Sequence, residues 1–408
     1  MKTGWTIVSV AIVIVVLISG ACSKPNQVLP GIDVLMTGQI GFLKGKRVGL
    51  ITNQSGVSAA LQSTVDLLHE HPDINLVALF GPEHGVRGDV TAGVKVDDFR
   101  DPGTGIPVYS LYGKNRKPTP EMLAQLDVLI YDIQDIGSRA YTYIYTMALS
   151  MQAAAEQGKQ FVVLDRPNPL GGNLVEGPVL EMKFSSGIGL YPIPFVYGMT
   201  VGELAQLFNQ EFDIHADLTV IPMKHWERDM IGDETGLEWV ITSPHIPHAK
   251  TALFCAATGC IGELHTVDIG IGYTLPFELI GEAWINADEL SRELNSYRLP
   301  GVFFRPMHYK PYYYTRQGAQ LQGVQIHITD AKCFQPMRTQ LSVLQAIQRL
   351  YPEQPIYGTG RIGMFLKAMG TDKVHLQILD GKSVDEIMRQ WQDQLAEFKK
   401  IREKYLLY

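Results

Sequence analysis

At 408 residues the chain is too long for one typical domain and comfortable for two. Its apolar, charged and aromatic content is that of an ordinary globular protein. A net charge of −7 with no long Lys/Arg block argues against nucleic acid as a partner, because neutralising phosphates needs a basic surface.

Residues 1–22 differ from the rest of the chain. Lys2 gives a positive start, residues 5–18 are almost wholly apolar, and Ser19-Gly20-Ala21 are small before Cys22. This is the pattern of a secretory signal peptide. The small residues resemble a bacterial lipoprotein processing site, where Cys22 is acylated and becomes the mature N-terminus, although Ser19 stands where leucine is usual. The alternative is an uncleaved anchor, since the apolar stretch is nearly long enough to span a bilayer. Both put an extracytoplasmic body on a membrane through its N-terminus. Residues 23–30 read as a tether.

From residue 31 to about 240, strands and helices alternate. The spacing predicts strands over 47–52, 74–80, 107–112, 127–133, 161–164 and 216–223. Helices are expected over 58–71, 119–126, 140–157 and from Thr200 to Phe212, the last opened by the capping box Thr200/Glu203. Such alternation predicts an α/β fold: a Rossmann-like, mostly parallel, doubly wound sheet. The nucleotide fingerprints G-x-G-x-x-G and G-x-x-x-x-G-K-S/T are absent, so no dinucleotide or other cofactor is expected. From residue 241 to 408 a smaller α+β auxiliary domain is expected, opened by a Pro-rich hinge at residues 242–248. It holds strands over 277–285, 302–309 and 320–329 and helices over 286–297, 335–350 and 383–402. Cys255, Cys260 and Cys333 lack metal-site pairing; a Cys255–Cys260 bridge and buried free thiols are equal alternatives.

In an open parallel sheet the loops at the carboxyl ends of strands form the ligand crevice. Three such loops are rich in polar residues. Gly81-Pro82-Glu83-His84-Gly85, with Arg87, comes after the second strand, and Glu83, in a loop poor in competing charge, is the candidate general acid. His84 is read as its hydrogen-bonding neighbour or a substrate contact. The second loop carries Asp132, Asp135 and Arg139, with one aspartate expected to pair with Arg139 and the other to face ligand. The third carries Arg166, and further on Glu176 is a second candidate carboxylate. Arg87, Arg139 and Arg166 suit a carboxylate-bearing ligand through their planar forks, and ion pairing with Asp89, Asp135 or Asp165 is the alternative for each. Tyr141, Tyr143, Tyr145, Tyr191 and Tyr197 are either sugar-stacking or core residues. His245 and His248 are held too rigidly by prolines to form a helical metal pair, and no metal site is expected.

Six stretches together resemble the bacterial exo-β-N-acetylmuramidase family: Thr52-Asn53-Gln54-Ser55-Gly56, Phe80-Gly81-Pro82-Glu83-His84-Gly85, Tyr131-Asp132-Ile133-Gln134-Asp135-Ile136-Gly137-Ser138-Arg139, Asp165-Arg166-Pro167-Asn168-Pro169, Glu176-Gly177-Pro178 and Tyr197-Gly198-Met199-Thr200. The resemblance implies a Rossmann-like catalytic domain, an auxiliary domain and an active cleft between them. It implies hydrolytic release of N-acetylmuramic acid from the non-reducing ends of peptidoglycan fragments. Glu83 is then catalytic, with Glu176 or Asp132 as counterpart. Asn53, His84, Arg87, Gln134, Asp135, Arg139, Arg166, Tyr197 and His245 are the expected substrate contacts. Where many members of that family carry Glu-Gly-Thr-Asn-Val-Ser-x-Gly-Arg-Gly-Thr, this chain reads Gly262-Glu263-Leu264-His265-Thr266-Val267-Asp268-Ile269-Gly270-Ile271-Gly272-Tyr273-Thr274, a departure in the second-domain wall of the cleft. Retaining, inverting and substrate-assisted routes all remain open, the last using the substrate's own acetamido group, oriented by Asp132 or Asp135. The competing reading is a non-catalytic lipoprotein that captures cell-wall sugars; a sugar-nucleotide oxidoreductase is disfavoured by the missing phosphate loop.

Overall fold

A computed structural model describes residues 27–83, 85–88, 99–113, 115–358 and 360–408. The expected leader with Cys22, and also His84 and Asp89, lie outside the described residues. The first half contains strands β1 (Arg47–Thr52), β2 (Asn75–Gly81), β3 (Phe99–Arg100), β4 (Pro107–Ser110), β5 (Val128–Asp132), β6 (Gln160–Leu164) and β7 (Asp217–Ile221). They form one sheet in the order β3-β4-β2-β1-β5-β6-β7. All neighbours are parallel except the β3 edge, which runs antiparallel to β4.

Strand side chains alternate between two apolar layers, as a period of two requires. Val48, Leu50, Val128 and Ile130 enter one layer, and Ile51, Leu129, Tyr131 and Phe161 the other. Burial on both faces explains why these strands read as continuous apolar runs. Helices α1 (Gly31–Val34), α2 (Thr64–Glu70), α3 (Pro120–Leu123), α4 (Tyr143–Glu156) and α5 (Val201–Glu211) connect and cover them. The Thr200/Glu203 capping box opens α5. The helix expected over 58–71 is confined to its second half. Ser58 Oγ accepts from the backbone of Ala60 and Gln62 and so holds residues 58–62 in a turn before α2.

The second half holds α6 (Thr251–Leu264), then β8 (Leu279–Glu282), α7 (Ala287–Ser296), β9 (Val302–Tyr309) and β10 (Leu321–Ile328), and after them α8 (Pro336–Leu350), α9 (Ile362–Met369), α10 (Lys373–Leu379), α11 (Val384–Arg389) and α12 (Gln392–Arg402). Its sheet is antiparallel, in the order β8-β10-β9. The single helix expected over 383–402 is two: Ser383 and Glu386 form the capping box of α11, and α12 restarts at Trp391. That break leaves Trp391, Leu395 and Phe398 in the same buried cluster as Ile387. Helix α6 has no counterpart among the helices expected from sequence. It contains Gly259 and Gly262, each costing a helix interior about 1 kcal/mol relative to alanine. Gly262 is required by close packing, because a Cβ there would lie 2.4 Å from Ile269. Cys255 and Cys260 both sit on α6 as free thiols, and Cys333 is also free.

One apolar cluster runs from Ile51 of β1 to Phe398 of α12, so the two halves share a core. The C-terminus returns to the large sheet. Tyr408 Oη donates to Asp165 Oδ2 at 2.7 Å and accepts from Met223 N at 2.7 Å, while Leu407 N donates to Glu203 at 2.9 Å. Burial pushes the Asp165 carboxyl up to about 6 against the hydrogen bonds from Tyr408, Gly202 and Thr200.

Candidate active site

Strand order reverses around β1, with β2 on one side and β5 on the other, so the loops after these three strands surround the switch point. Glu83 stands in the loop after β2. Gly85 N donates to Pro82 O at 3.0 Å, closing a tight turn around it. Gly85 has φ +77°, and a Cβ on Gly81 would lie 3.0 Å from Val86 N, so the glycines on either side of Glu83 permit the chain to double back.

Glu83 lines a cavity of about 720 Å³, within the range of small-molecule sites, ~300–1,000 Å³. Tyr112 hydrogen-bonds Glu83, and its hydroxyl pKa is raised first by burial and then by the Glu83 charge. Tyr145, Thr142 and Thr146 of the α4 region form one wall. Arg116, preceding α3, and Lys367 of α9 bring positive charge from both halves of the chain, and among the described residues neither has a carboxylate partner. Among the described residues of this cavity Glu83 is the only carboxylate.

The arginines expected to meet ligand are engaged elsewhere. Arg87 makes a bidentate pair with Asp101, both contacts 2.9 Å. Arg166 pairs with Asp132, and Asp132 also accepts from Thr64, so this aspartate is wholly buried with both oxygens occupied. Asp132 is therefore a structural anchor, not a free counterpart to Glu83. Arg139 pairs with neither aspartate. It is fully buried and donates to the carbonyls of Pro178, Ile193, Ala368 and Met369, tying the large sheet's loops to the end of α9. Burial without a carboxylate partner lowers its pKa to about 10.

Glu176 is not brought into the Glu83 cavity. Its Oε2 accepts from Met337 N at 3.1 Å at the start of α8, and burial raises its carboxyl to about 7 against that bond and the charges of Arg338 and Lys399. Asn53 Oδ1 accepts from Ser55 N at 2.9 Å, and Gln134 Nε2 donates to Pro167 O at 2.7 Å, so both brace loops. Asp135 accepts from Tyr197 and, at 2.7 Å, from Gly137 N. Its other oxygen is buried with no hydrogen-bond partner among the described residues. Burial raises it to about 6, opposed by these bonds. Of the tyrosines considered for stacking, Tyr143, Tyr145, Tyr191 and Tyr197 are buried in the core. Tyr143 donates to Thr242 O at 2.8 Å, contacts Asn53 and feels the Glu83 charge. Tyr141 donates to Thr242 Oγ1 at 2.8 Å. His245, three residues beyond Thr242, lies with its ring over Tyr313.

The family descriptions "Exo-beta-N-acetylmuramidase NamZ, N-terminal" and "C-terminal" match residues 48–250 and 255–408. The chain belongs to the exo-β-N-acetylmuramidase family. It is 51% identical over 386 residues to the peptidoglycan β-N-acetylmuramidase NamZ of Bacillus subtilis (strain 168), covering 95% of this chain and 92% of that protein. Two DUF1343 family proteins of Bacteroides fragilis NCTC 9343 share its structure. One has TM-score 0.89 at 46% identity and the other 0.73 at 30%, each comparison covering 94% of this chain and 99% of the other. The exo-β-N-acetylmuramidases are glycosidases, so the fold carries carbohydrate chemistry rather than the dinucleotide chemistry common on Rossmann-like sheets.

Residues of the run 262–274 line a second cavity of about 220 Å³ against Ile136, Ser138 and Tyr141 of the loop after β5. Glu263, Asp268 and Ile271 line it from the second half. Burial raises the Glu263 and Asp268 carboxyls, although Asp268 is also held by Gly270 N and Tyr309 Oη, both at 2.8 Å. Sequence reasoning missed Tyr112, Arg116 and Lys367, each in a segment with no motif of its own, and quoted Glu263 and Asp268 only within the run 262–274 without giving them a role. Among the described residues no His, Cys, Asp and Glu cluster is arranged to hold a metal ion.

Proposed function

We propose that this chain is an exo-acting glycosidase that releases N-acetylmuramic acid from the non-reducing ends of peptidoglycan fragments, with Glu83 as the general acid. The observation that carries this reading is the Glu83 cavity itself. A carboxyl group framed by glycines at the carboxyl edge of the sheet projects into a space that also contains Arg116 and Lys367. A muramic acid ring presents a leaving oxygen for the acid and a lactyl carboxylate for the cations. With no second carboxylate among the described residues of this cavity, the arrangement favours the route in which the substrate's acetamido oxygen attacks the anomeric carbon. Glu83 then gives its proton to the leaving oxygen, and water later opens the cyclic intermediate.

Glu83→Gln keeps the shape of the side chain and removes the proton donor. Incubated with a muramic-acid-terminated disaccharide, the variant is expected to release almost no free sugar while still binding the substrate. Unchanged turnover would remove Glu83 from the mechanism, and a wild type that binds the disaccharide without cleaving it would leave a sugar-capturing protein instead. An N-trifluoroacetyl substrate, whose acetamido oxygen is a poorer nucleophile, is expected to turn over more slowly than its N-acetyl parent; equal rates would exclude the substrate-assisted route. We also propose, on the pattern of residues 1–22, that the body is attached to a membrane through acylated Cys22. A mature protein whose first residue is not a lipidated cysteine would refute this.

A further inference from the structure

We propose that the loop Tyr312-Tyr313-Tyr314, between β9 and β10, is the aromatic platform that receives the saccharide on the leaving-group side of the scissile bond. This rests on the muramidase reading. The three side chains are 58%, 47% and 54% exposed, so three consecutive large rings face solvent on one loop. They are held in place. Tyr312 stacks on Tyr273 with centroids 5.2 Å apart, and Tyr273 lies 5.4 Å from Tyr309, whose hydroxyl donates to Asp268 at 2.8 Å. Tyr312 N donates to Gly272 O at 2.8 Å, and a Cβ on Gly272 would lie 2.4 Å from Tyr313 O, so the loop is seated on a glycine. Tyr314 has φ +68°, a left-handed conformation that a bulky residue adopts only when its surroundings impose it.

The cavity beside this loop neighbours the Glu83 cavity along two segments: Tyr141 lines the first and Thr142 the second, and Ala368 lines the first and Lys367 the second. Tyr314 lines the 220 Å³ cavity together with Tyr141 and Glu263. Tyr313 lies 6.4 Å from the His245 ring, the two planes within 14°. From His245 the chain leads back to Thr242, whose carbonyl accepts from Tyr143, and Tyr143 feels the charge of Glu83. An exo-acting enzyme encloses the terminal sugar, and the remainder of the saccharide has to leave along a surface beside the cavity. Pyranose rings present C–H faces that pack on aromatic faces, and tyrosine hydroxyls and the Glu263 carboxylate supply partners for ring hydroxyls. The occupant is therefore an amino-sugar ring of the glycan chain.

The test compares Tyr313→Ala and Tyr313→Phe with the wild type on two substrates, a muramide with a small chromogenic aglycone and a muramic-acid-terminated tetrasaccharide. For Tyr313→Ala the ratio of kcat/KM on the tetrasaccharide to that on the chromogenic muramide is expected to fall about tenfold, the worth of one aromatic contact, through KM. Tyr313→Phe is expected to restore it. An unchanged ratio would overturn the proposal, as would an equal loss on both substrates. Calorimetric binding of the tetrasaccharide to Glu83→Gln, with and without Tyr313→Ala, separates this inference from the muramidase reading. If the wild type cleaves neither substrate but Tyr313→Ala still weakens binding, the loop is a saccharide-binding surface of a non-catalytic protein, and the leaving-group assignment falls together with the catalytic reading. Equal binding by both forms overturns the platform. Sedimentation showing a dimer that Tyr313→Ala dissolves would assign the loop to a second copy of the chain and also overturn it.

Discussion

Replacing Glu176 by Gln separates a structural carboxyl from a catalytic one. The glutamine retains an acceptor for Met337 N but carries no charge to bury. In the folded protein this carboxyl titrates near 7 against an ordinary value of 4.5. The folded state therefore keeps a proton that the unfolded chain has released, and the contribution to stability is greatest below 4.5 and falls as pH rises through about 7. Between pH 5.0 and pH 8.5 the full shift amounts to roughly 2–3 kcal/mol, and the side chain's partial contact with solvent brings it to about 2 kcal/mol. Urea unfolding of both proteins at the two pH values reads this directly. Glu176→Gln is expected to gain about 2 kcal/mol relative to wild type on going from pH 5.0 to 8.5. The same stability gap at both pH values would refute the assignment. Turnover of a muramic-acid disaccharide is expected to stay near the wild-type rate, whereas loss by two orders of magnitude or more would make Glu176 a participant in the reaction.

Asp132→Asn leaves Arg166 buried without a carboxylate, a change that typically costs about 3–5 kcal/mol; thermal unfolding should show a large fall in Tm, and a change of a degree or less would contradict the anchoring role. Tyr408→Phe removes the hydroxyl that bridges Met223 N and Asp165, and chemical denaturation is expected to show a loss of about 1–3 kcal/mol. Gly81→Ala places a methyl group against the backbone of Val86 and Gly85. Circular dichroism should show a retained fold while kcat drops, because the turn carrying Glu83 is displaced; full activity would mean that the turn tolerates the shift.

The alternation of apolar runs with amphipathic spacing carried the parallel sheet, because strand and helix periodicity are properties of neighbouring residues. The glycines beside Glu83 were legible for the same reason, since a tight turn is closed within four residues. Helix α6 was hidden because its glycines weaken the local signal while contacts such as that of Gly262 with Ile269 support it. The fates of the arginines and tyrosines could not be read locally at all. Arg139 finds its acceptors at Ala368 and Met369, 229 and 230 residues away, and Arg166 takes Asp132 rather than its neighbour Asp165. Likewise Tyr143 and Tyr197 go to the core, whereas Tyr312, Tyr313 and Tyr314 face solvent. The sequence by itself determined the sheet, the glycine-framed glutamate and the family. Only the tertiary structure decided which charged and aromatic side chains remain available to a ligand, because burial and ion pairing depend on segments far apart along the chain.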